Sequence, residues 1–507
     1  MNYIQLSDKG ASLYKATYQT MLDRVSENGF AQTSLTGAYP GMFVRDASIQ
    51  VMAHIAEGDY EYAKRILQYM VAYHRALKAE YAVHVMNGLV EEEYHDINGD
   101  VLPGTAIGGE VEAIWTLPKE QNDQYIISAE ISLCAQGDAT EHDTVTASLY
   151  KGGMLVDEIT HKVSSINEDG ERFAFCLPVE ECESTEAYAV RLRASRKGSV
   201  ICVDNTIRVG VQKHIGAYSW GIQPDGHYMW VNAFAMFALN CPEEQVEFVH
   251  KTYPFMVKFS KYFIQNSEYM HNNGLIRNPM YEHTRKGRYW ESYDLITNTF
   301  ASEALHKMSQ LASRMGDNKN KKFFEYAADS LAASIHQHLV CEMDGLKFYM
   351  EMVALDEGAR VIPGFSFVSL APIACEWYAV DESLLANTYV QYCKYGAELY
   401  HGTYEMLVAC CELEEGHWNE SHYDHVIGKG LAWELYYLWK TGQSVRLQKM
   451  LDFIEVYSNN VYPEVWKRTG TIFDSANQEQ ASWILYEIAR ITGRWKELDI
   501  SNLRQPQ

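Results

Sequence analysis

Residues 287–305, GRYWESYDLITNTFASEAL, set a carboxylate beside aromatic residues immediately before a predicted helix. From Thr297 onward apolar residues recur at helical spacing, which predicts a loop that ends on a buried helix. Tyr289 and Trp290 would desolvate the carboxyl of Glu291 and favour its protonated form, as a general acid requires. The alternative is a boundary aromatic beside a solvated Glu, so other segments have to decide between the two interpretations.

Helical periodicity covers most of the chain on both sides of one interruption. Helices in antiparallel pairs predict a mainly α fold, a closed (α/α)6 toroid of six inner and six outer helices with longer loops gathered over a central pit. The predicted helices span 7–28, 46–57, 59–77, 226–239, 243–266, 297–315, 319–341, 366–378, 382–395, 426–440, 444–459 and 476–492.

The interruption, residues 108–211, alternates apolar and polar positions in short runs separated by Gly, Asp and Asn. About seven to nine strands of this kind predict an inserted β-sandwich domain. Residues 1–107 and 212–507 would then form the two parts of the toroid. The insert could bind carbohydrate, or it could serve packing or oligomerisation; no motif in it marks a site.

Composition limits the class of partner. The 507 residues carry 43 Lys and Arg against 67 Asp and Glu, a formal charge of −24, which opposes nucleic acid and anionic membranes. No leader or membrane-spanning run is visible, so the sequence predicts a cytoplasmic protein. Ten Cys lack CxxC spacing, which favours reduced thiols over a disulfide framework or a zinc site, and we expect no cofactor.

Two loops carry candidate sugar-binding side chains. In GAYPGMFVRDASIQ, residues 37–50, Arg45 and Asp46 stand where a helix would start. They could hold sugar hydroxyls, which need donors and acceptors, or Asp46 could simply cap the helix with Arg45 as its ion-pair neighbour. In GIQPDGHYMW, residues 221–230, Asp225 and His227 are candidates of the same kind, and a plain Asp-Gly turn is the alternative.

Two later loops complete the set. GHWNESHYDH, residues 416–425, is interpreted as a polar loop at the pocket rim that carries Trp418 for stacking, rather than as a metal site. In VYPEVWKRTGTIFDSANQEQASW, residues 461–483, Glu464 lies between Pro463 and an aromatic residue, in a loop that enters the last helix. This second loop carboxylate is the partner that Glu291 requires.

Taken in order, these segments resemble the six-hairpin glycosidases, closest to the glucoamylase family and its clan relatives. FVRDAS resembles the segment whose Arg and Asp hold the terminal sugar, QPDG resembles a Pro-Gln-x-Asp-Gly loop, and Trp290-Glu291 resembles the general-acid loop. The late Glu of the family, its general base, corresponds to Glu464. Ser292 replaces a second Glu, and the Pro-Gln order is reversed at 223–224.

The resemblance implies an exo-acting hydrolase of α-glycosidic bonds in oligosaccharides that inverts the anomeric centre and needs no cofactor. Glu291 would be the general acid and Glu464 the general base. Arg45, Asp46, Asp225, His227, Tyr289, Trp290 and Trp418 would bind the sugar. A glycoside phosphorylase and a non-catalytic carbohydrate-binding protein are the alternatives, and the oligomeric state stays open.

Overall fold

The computed structural model describes residues 3–34, 39, 41–77, 79–86, 91–98, 106–107, 113–116, 125–135, 140, 142–151, 153–163, 188–213, 217–218, 221–282, 290–356, 358–396, 425–467, 472–475 and 477–495. Within these ranges the α-helices are α1 Asp8–Asp23, α2 Val44–Glu57, α3 Tyr60–Ala76, α4 Pro224–Asn240, α5 Val246–Gln265, α6 Leu295–Arg314, α7 Asn318–His338, α8 Ala371–Ala374, α9 Glu382–Gln391, α10 Gly428–Lys440, α11 Ser444–Tyr457 and α12 Gln478–Ile491.

Strands are shorter and lie mostly between helices. They are β1 Gly41–Met42, β2 His84–Met86, β3 Glu91–Asn98, β4 Ala106–Ile107, β5 Ala113–Thr116, β6 Tyr125–Ala135, β7 Thr144–Lys151, β8 Met154–Lys162, β9 Tyr188–Ala194, β10 Val200–Lys213, β11 Ala217–Tyr218, β12 Asn278–Tyr281, β13 Trp290–Asp294, β14 Val340–Met343, β15 Leu346–Tyr349, β16 Met352–Ala354, β17 Arg360–Ile362, β18 His425–Ile427, β19 Pro463–Lys467 and β20 Ile472–Ser475.

Six helices pack side to side in a closed ring. Helix α2 packs on α4, α4 on α6, α6 on α8, α8 on α10, α10 on α12, and α12 returns to α2. Helices α1, α5, α7 and α11 alternate with them along the chain and pack on α12, α4, α6 and α10. Because each outer helix brings the chain back, the inner helices run in the same direction.

Burial explains which helices are inside. Helix α4 is buried at every position from Pro224 to Leu239, as expected for a helix that is mainly apolar on every side. Helix α7 leaves most of its residues exposed or half-buried and buries only one stripe at helical spacing, formed by Phe324, Ala328, Leu331, Ala332 and Ile335. Inside the ring, Trp433 of α10 meets Trp483 of α12 edge to face, with ring centroids 5.3 Å apart.

Small antiparallel sheets precede the inner helices and fix where those helices begin. Strands β1, β2 and β11 form one sheet, β12, β13, β16 and β17 a second, and β18, β19 and β20 a third. Strand β13 runs directly into α6 and β18 directly into α10. The segments before these helices, which were predicted as loops around a central pit, therefore contain short strands.

A second compact unit comprises residues 71–79 and 89–216. It contains two four-stranded antiparallel sheets, one of β5, β9, β7 and β8 in that order, and one in which β10 pairs with β3, β4 and β6. The predicted boundary at 108 falls inside this unit, because β3 and β4 precede it and pair with β10. Sandwich packing of the two sheets stays a prediction.

The prediction of a mainly helical fold is confirmed. Each predicted helix corresponds to a helix of the structure, usually within two or three residues at each end; the segment 366–378 is the exception, since it contains only a 3-10 turn, Phe367–Leu370, followed by the short α8. Among the helices that the structure describes, none combines the length and the apolar composition of a bilayer-spanning segment.

Candidate active site

The N-terminal ends of the inner helices gather charged side chains in one place. A helix N-terminus carries unpaired N–H groups and a partial positive charge, which stabilise carboxylates placed there. Asp294 caps α6 by accepting a 2.6 Å hydrogen bond from the Thr297 N–H. The first turns of α2, α4, α10 and α12 contribute Arg45, Asp46, Asp225, Lys429 and Glu479.

Arg45 is the centre of this cluster. Its Nη1 lies 3.2 Å from Asp225 Oδ2, its Nη2 lies 3.1 Å from Glu282 Oε1, and its Nε lies 3.4 Å from Glu479 Oε1. Burial alone would lower the pKa of Arg45, but Glu479, Asp225 and Glu282 raise it well above its ordinary value. One guanidinium thus ties together the start of α2, the start of α4, the end of β12 and the start of α12.

Lys429 adds a second cation beside Arg45. Its Nζ lies 3.0 and 3.2 Å from the two carboxylate oxygens of Glu479, and both side chains are buried. The backbone N–H of Lys429 also donates to Gln480 Oε1 at 2.7 Å. Gly428 permits this approach, since a Cβ there would come within 2.8 Å of the Gln480 Cβ. Glu479 is therefore shared between two cations.

Asp46 and Glu464 form the carboxylate side of the cluster. Burial raises the pKa of Asp46 well above its ordinary value, and the charges of Glu479 and Glu464 raise it further, whereas Arg45 and Lys429 lower it. The Tyr39 hydroxyl donates to Glu464 Oε1 at 3.5 Å. The alternative that Asp46 caps α2 is wrong, because Phe43 is the N-cap residue and Asp46 is the third residue of the helix.

His84 braces the starts of α2 and α4. The Val44 N–H donates to its Nδ1 at 3.2 Å, and its Nε2 lies 3.3 Å from Gln223 Oε1. Burial and the charge of Arg45 lower the pKa of His84 to about 4. The ring is therefore neutral, with its proton on Nε2.

Glu291 stands on β13, which leads into α6. Arg277 Nη1 donates to Glu291 Oε1 at 2.8 Å, and the Glu291 side chain is 40% exposed. Trp290 is buried. Because successive residues of a strand point to opposite faces, Trp290 does not cover the Glu291 carboxyl, contrary to the sequence-based expectation. In the register of this sheet, Tyr281 of β12 pairs with Trp290 of β13. Glu282, which contacts Arg45, therefore directly follows the strand that lies beside Glu291.

The structure brings Arg45, Asp46, Asp225 and Glu464 together. It does not bring His227 to them: the buried His227 ring stacks on Phe259 of α5 at 4.1 Å, and its Nε2 lies 3.0 Å from the Phe259 carbonyl oxygen. Tyr289 and Trp418 lie outside the described residues. In the part of the chain that the structure describes, no three or more His, Cys, Asp or Glu side chains are arranged so that they could hold a metal ion.

Sequence reasoning missed Glu282, Lys429, Glu479 and His84. Three of them carried no local signal, since an acidic residue near a helix start, as at Glu479, is ordinary, and Glu282 and His84 lie in or beside short strands that the sequence did not predict. Lys429 did carry one: a Lys in the first turn opposes the helix dipole, and here it stands between two glycines in an otherwise apolar helix.

No protein-family model matches the sequence. No curated protein matches it either.

Solved structures do resemble the chain. A GH63 mannosylglycerate hydrolase from Thermus thermophilus in complex with glucose superposes with a TM-score of 0.52 at 11% identity, covering 93% of this chain and 99% of that protein. A wild-type glycosidase superposes with a TM-score of 0.50 at 11% identity, covering 97% and 100%. Against a GH78 rhamnosidase of a Bacillus species, the TM-score is 0.39 at 11% identity, and the match covers 77% of this chain and 47% of that protein. At such low identity, the first two likenesses show a shared fold.

Proposed function

We propose that the protein is a glycoside hydrolase that releases a terminal α-linked sugar from oligosaccharides with inversion, with Glu291 as the general acid and Glu464 as the general base. The observation that carries the proposal is the cluster of carboxylates around Arg45 at the N-terminal ends of the inner helices. Proteins known as glycosidases share the fold, which adds support.

The cluster suits a sugar because hydroxyl groups donate to carboxylates and accept from cations. Three carboxylates would accept hydrogen bonds from sugar hydroxyls or water: Asp225, Glu282 and Glu464. Arg45 would donate a hydrogen bond to a sugar oxygen. Since these groups are held by helix ends and by one another, little reorganisation is needed when substrate binds.

Catalysis needs two proton transfers. Glu291 would protonate the departing glycosidic oxygen, and to do so its carboxyl must turn away from Arg277. Glu464 would take a proton from the attacking water on the opposite face of the sugar. Each of these elements contributes on the order of 10²–10⁴-fold to the rate. Tyr289 and Trp418 are proposed to stack on the sugar.

Phosphorolysis would need cations available to a phosphate. Within the described residues of the cluster, Arg45 and Lys429 already contact carboxylates. We therefore propose hydrolysis rather than phosphorolysis. The presence of Glu464 in the cluster and of Glu291 on β13 likewise favours an enzyme over a binding protein.

A screen of aryl α-glycosides of glucose, mannose, rhamnose and galactose, followed by oligosaccharides, would identify the substrate. On that substrate we expect Glu291→Gln to lose at least about 100-fold in kcat, because a carboxamide cannot donate the proton. The loss should shrink for leaving groups that need no protonation. Glu342→Gln, which changes an exposed residue of β14, is the matched control. Equal losses on activated and natural substrates would refute the role of Glu291.

A further inference from the structure

The charges of the cluster do not balance. Arg45 and Lys429 supply its cations, and five carboxylates surround these two, so the described side chains carry three more acids than bases: Asp46, Asp225, Glu282, Glu464 and Glu479. His84 adds no positive charge, because its pKa is lowered to about 4 by burial and by Arg45. Even if Asp46 is protonated, the net charge of these side chains is negative.

Both cations are turned toward carboxylates. Three nitrogens of Arg45 each contact a different acidic side chain, at 3.2, 3.1 and 3.4 Å. Lys429 contacts both oxygens of Glu479. An anionic ligand would have to displace one of these contacts and leave a buried carboxylate without its cation, which is costly.

The cluster nevertheless offers acceptors on its accessible side. Glu282 is 22% exposed, whereas Asp225 and Glu479 lie deeper and Glu464 Oε2 is buried. A ligand that arrives from solvent would therefore meet carboxylate oxygens first. Hydroxyl and ammonium groups donate to such oxygens, whereas carboxylate and phosphate groups are repelled by them.

We infer that the site selects neutral sugars and amino sugars and rejects sugars that carry a carboxylate or a phosphate. The inference rests on the proposed function, because it takes this cluster to be the sugar site. One uncompensated like charge a few ångströms away, partly screened by solvent, corresponds to roughly a 10- to 100-fold loss of affinity. The selection acts by repulsion as well as by attraction.

Calorimetric titration with three sugars of one configuration tests this inference: glucose, glucosamine and glucuronate at about pH 6.5, where the uronate is ionised and the amino group is protonated. The mannose and galactose sets are run in parallel, so that the result does not depend on stereochemistry. In the set that binds, we expect the amino sugar to bind at least as tightly as the neutral sugar, and the uronate at least about tenfold more weakly than the neutral sugar. The loss of affinity for the uronate should be smaller at physiological than at low ionic strength, because salt screens the exposed part of the cluster.

Glu282→Gln is the informative variant, because it removes a partly exposed carboxylate of the cluster while keeping the side-chain shape. It should reduce the discrimination against the uronate several-fold, whereas Glu342→Gln should leave it unchanged. A uronate that binds as tightly as its neutral sugar, or no binding by any member of the three sets, would overturn the inference.

The result separates the two proposals. A protein that binds the sugars in this order but hydrolyses no glycoside keeps the charge selection and loses the proposed reaction. A protein that hydrolyses glycosides but binds neutral and anionic sugars equally keeps the proposed reaction and loses the charge selection.

Discussion

Replacement of Arg45 by Met should destabilise the protein more than the loss of an ordinary ion pair. The guanidinium is 12% exposed and faces Asp225, Glu282 and Glu479, which are 2%, 22% and 5% exposed. Removing one partner of a buried pair costs roughly 3–5 kcal/mol, because the remaining charge is left uncompensated. Lys429 still compensates Glu479, so we expect a decrease of about 3–5 kcal/mol in the free energy of unfolding rather than a multiple of it.

Urea denaturation of single and double variants measures this decrease and shows which unpaired carboxylate causes most of it. In the Arg45→Met background, Asp225→Asn should recover about 1–2 kcal/mol, because it neutralises a buried charge. Glu282→Gln should recover less than about 1 kcal/mol, because solvent already screens that carboxylate. The order of the two recoveries follows directly from the exposure of the two carboxylates.

Arg446→Met is the control, since Arg446 Nε contacts the buried Glu434 at 2.9 Å away from the cluster. It should lower stability without changing kcat/KM, whereas Arg45→Met should lower both. A loss below about 1 kcal/mol for Arg45→Met, or a further loss on adding Asp225→Asn, would refute the account of Arg45 as the buried hub of the site.

Three further predictions concern stereochemistry, pH and the second unit. Proton NMR of the earliest hydrolysis product should show the β-anomer from an α-linked substrate, because a base that activates water stands about 6.5–9.5 Å from the acid; an initial α-anomer or a glycosyl-enzyme on Glu464 would contradict the inverting assignment. Burial raises the pKa of Asp294 from 3.8 to about 7 although the Thr297 N–H lowers it, so the folded chain retains a proton that the unfolded chain has lost between these values. The free energy of unfolding should therefore fall as the pH rises through this window, and Asp294→Asn, which keeps an N-cap acceptor, should flatten that fall in pH-dependent urea denaturation; an unchanged slope would exclude Asp294 as its source. Replacing residues 89–216 by a short linker should leave a soluble helical protein that is active on small glycosides, since Val85 of β2 pairs with Ala217 of β11 and the ends to be joined are adjacent; a soluble but inactive product would show that the insert is required for activity.

The helices could be predicted from sequence because burial on one side leaves an apolar stripe at helical spacing, and burial on all sides leaves a long, mainly apolar run. Inner helices such as α4 are mainly apolar on every side, and outer helices such as α7 keep a single apolar stripe. These patterns are local, so one sequence suffices. The helix predicted at 366–378 was too long because the Phe367–Leu370 turn, which precedes the short α8, is equally apolar and equally buried.

The site was predicted only in part, because adjacency in sequence is not adjacency in space. His227 follows Asp225 by two residues, and on a helix that spacing turns the side chain to the other side, toward α5. Trp290 and Glu291 are separated in the same way by strand alternation. The partners of Arg45 at Asp225, Glu282 and Glu479 are 180, 237 and 434 positions away, and no local pattern encodes contacts over such distances.

The packing of α12 on α2 has a consequence for how the chain folds. These two helices lie near opposite ends of the sequence, and α12 is buried along its whole length. During synthesis at about 5–20 residues per second, the roughly 420 residues between them take on the order of 20–80 s to appear. Throughout that interval one apolar side of α2 has no partner from the ring, so the nascent chain is exposed to aggregation until α12 emerges. Glu479 arrives with α12, and the contacts of Arg45 are therefore completed only when that helix has been translated.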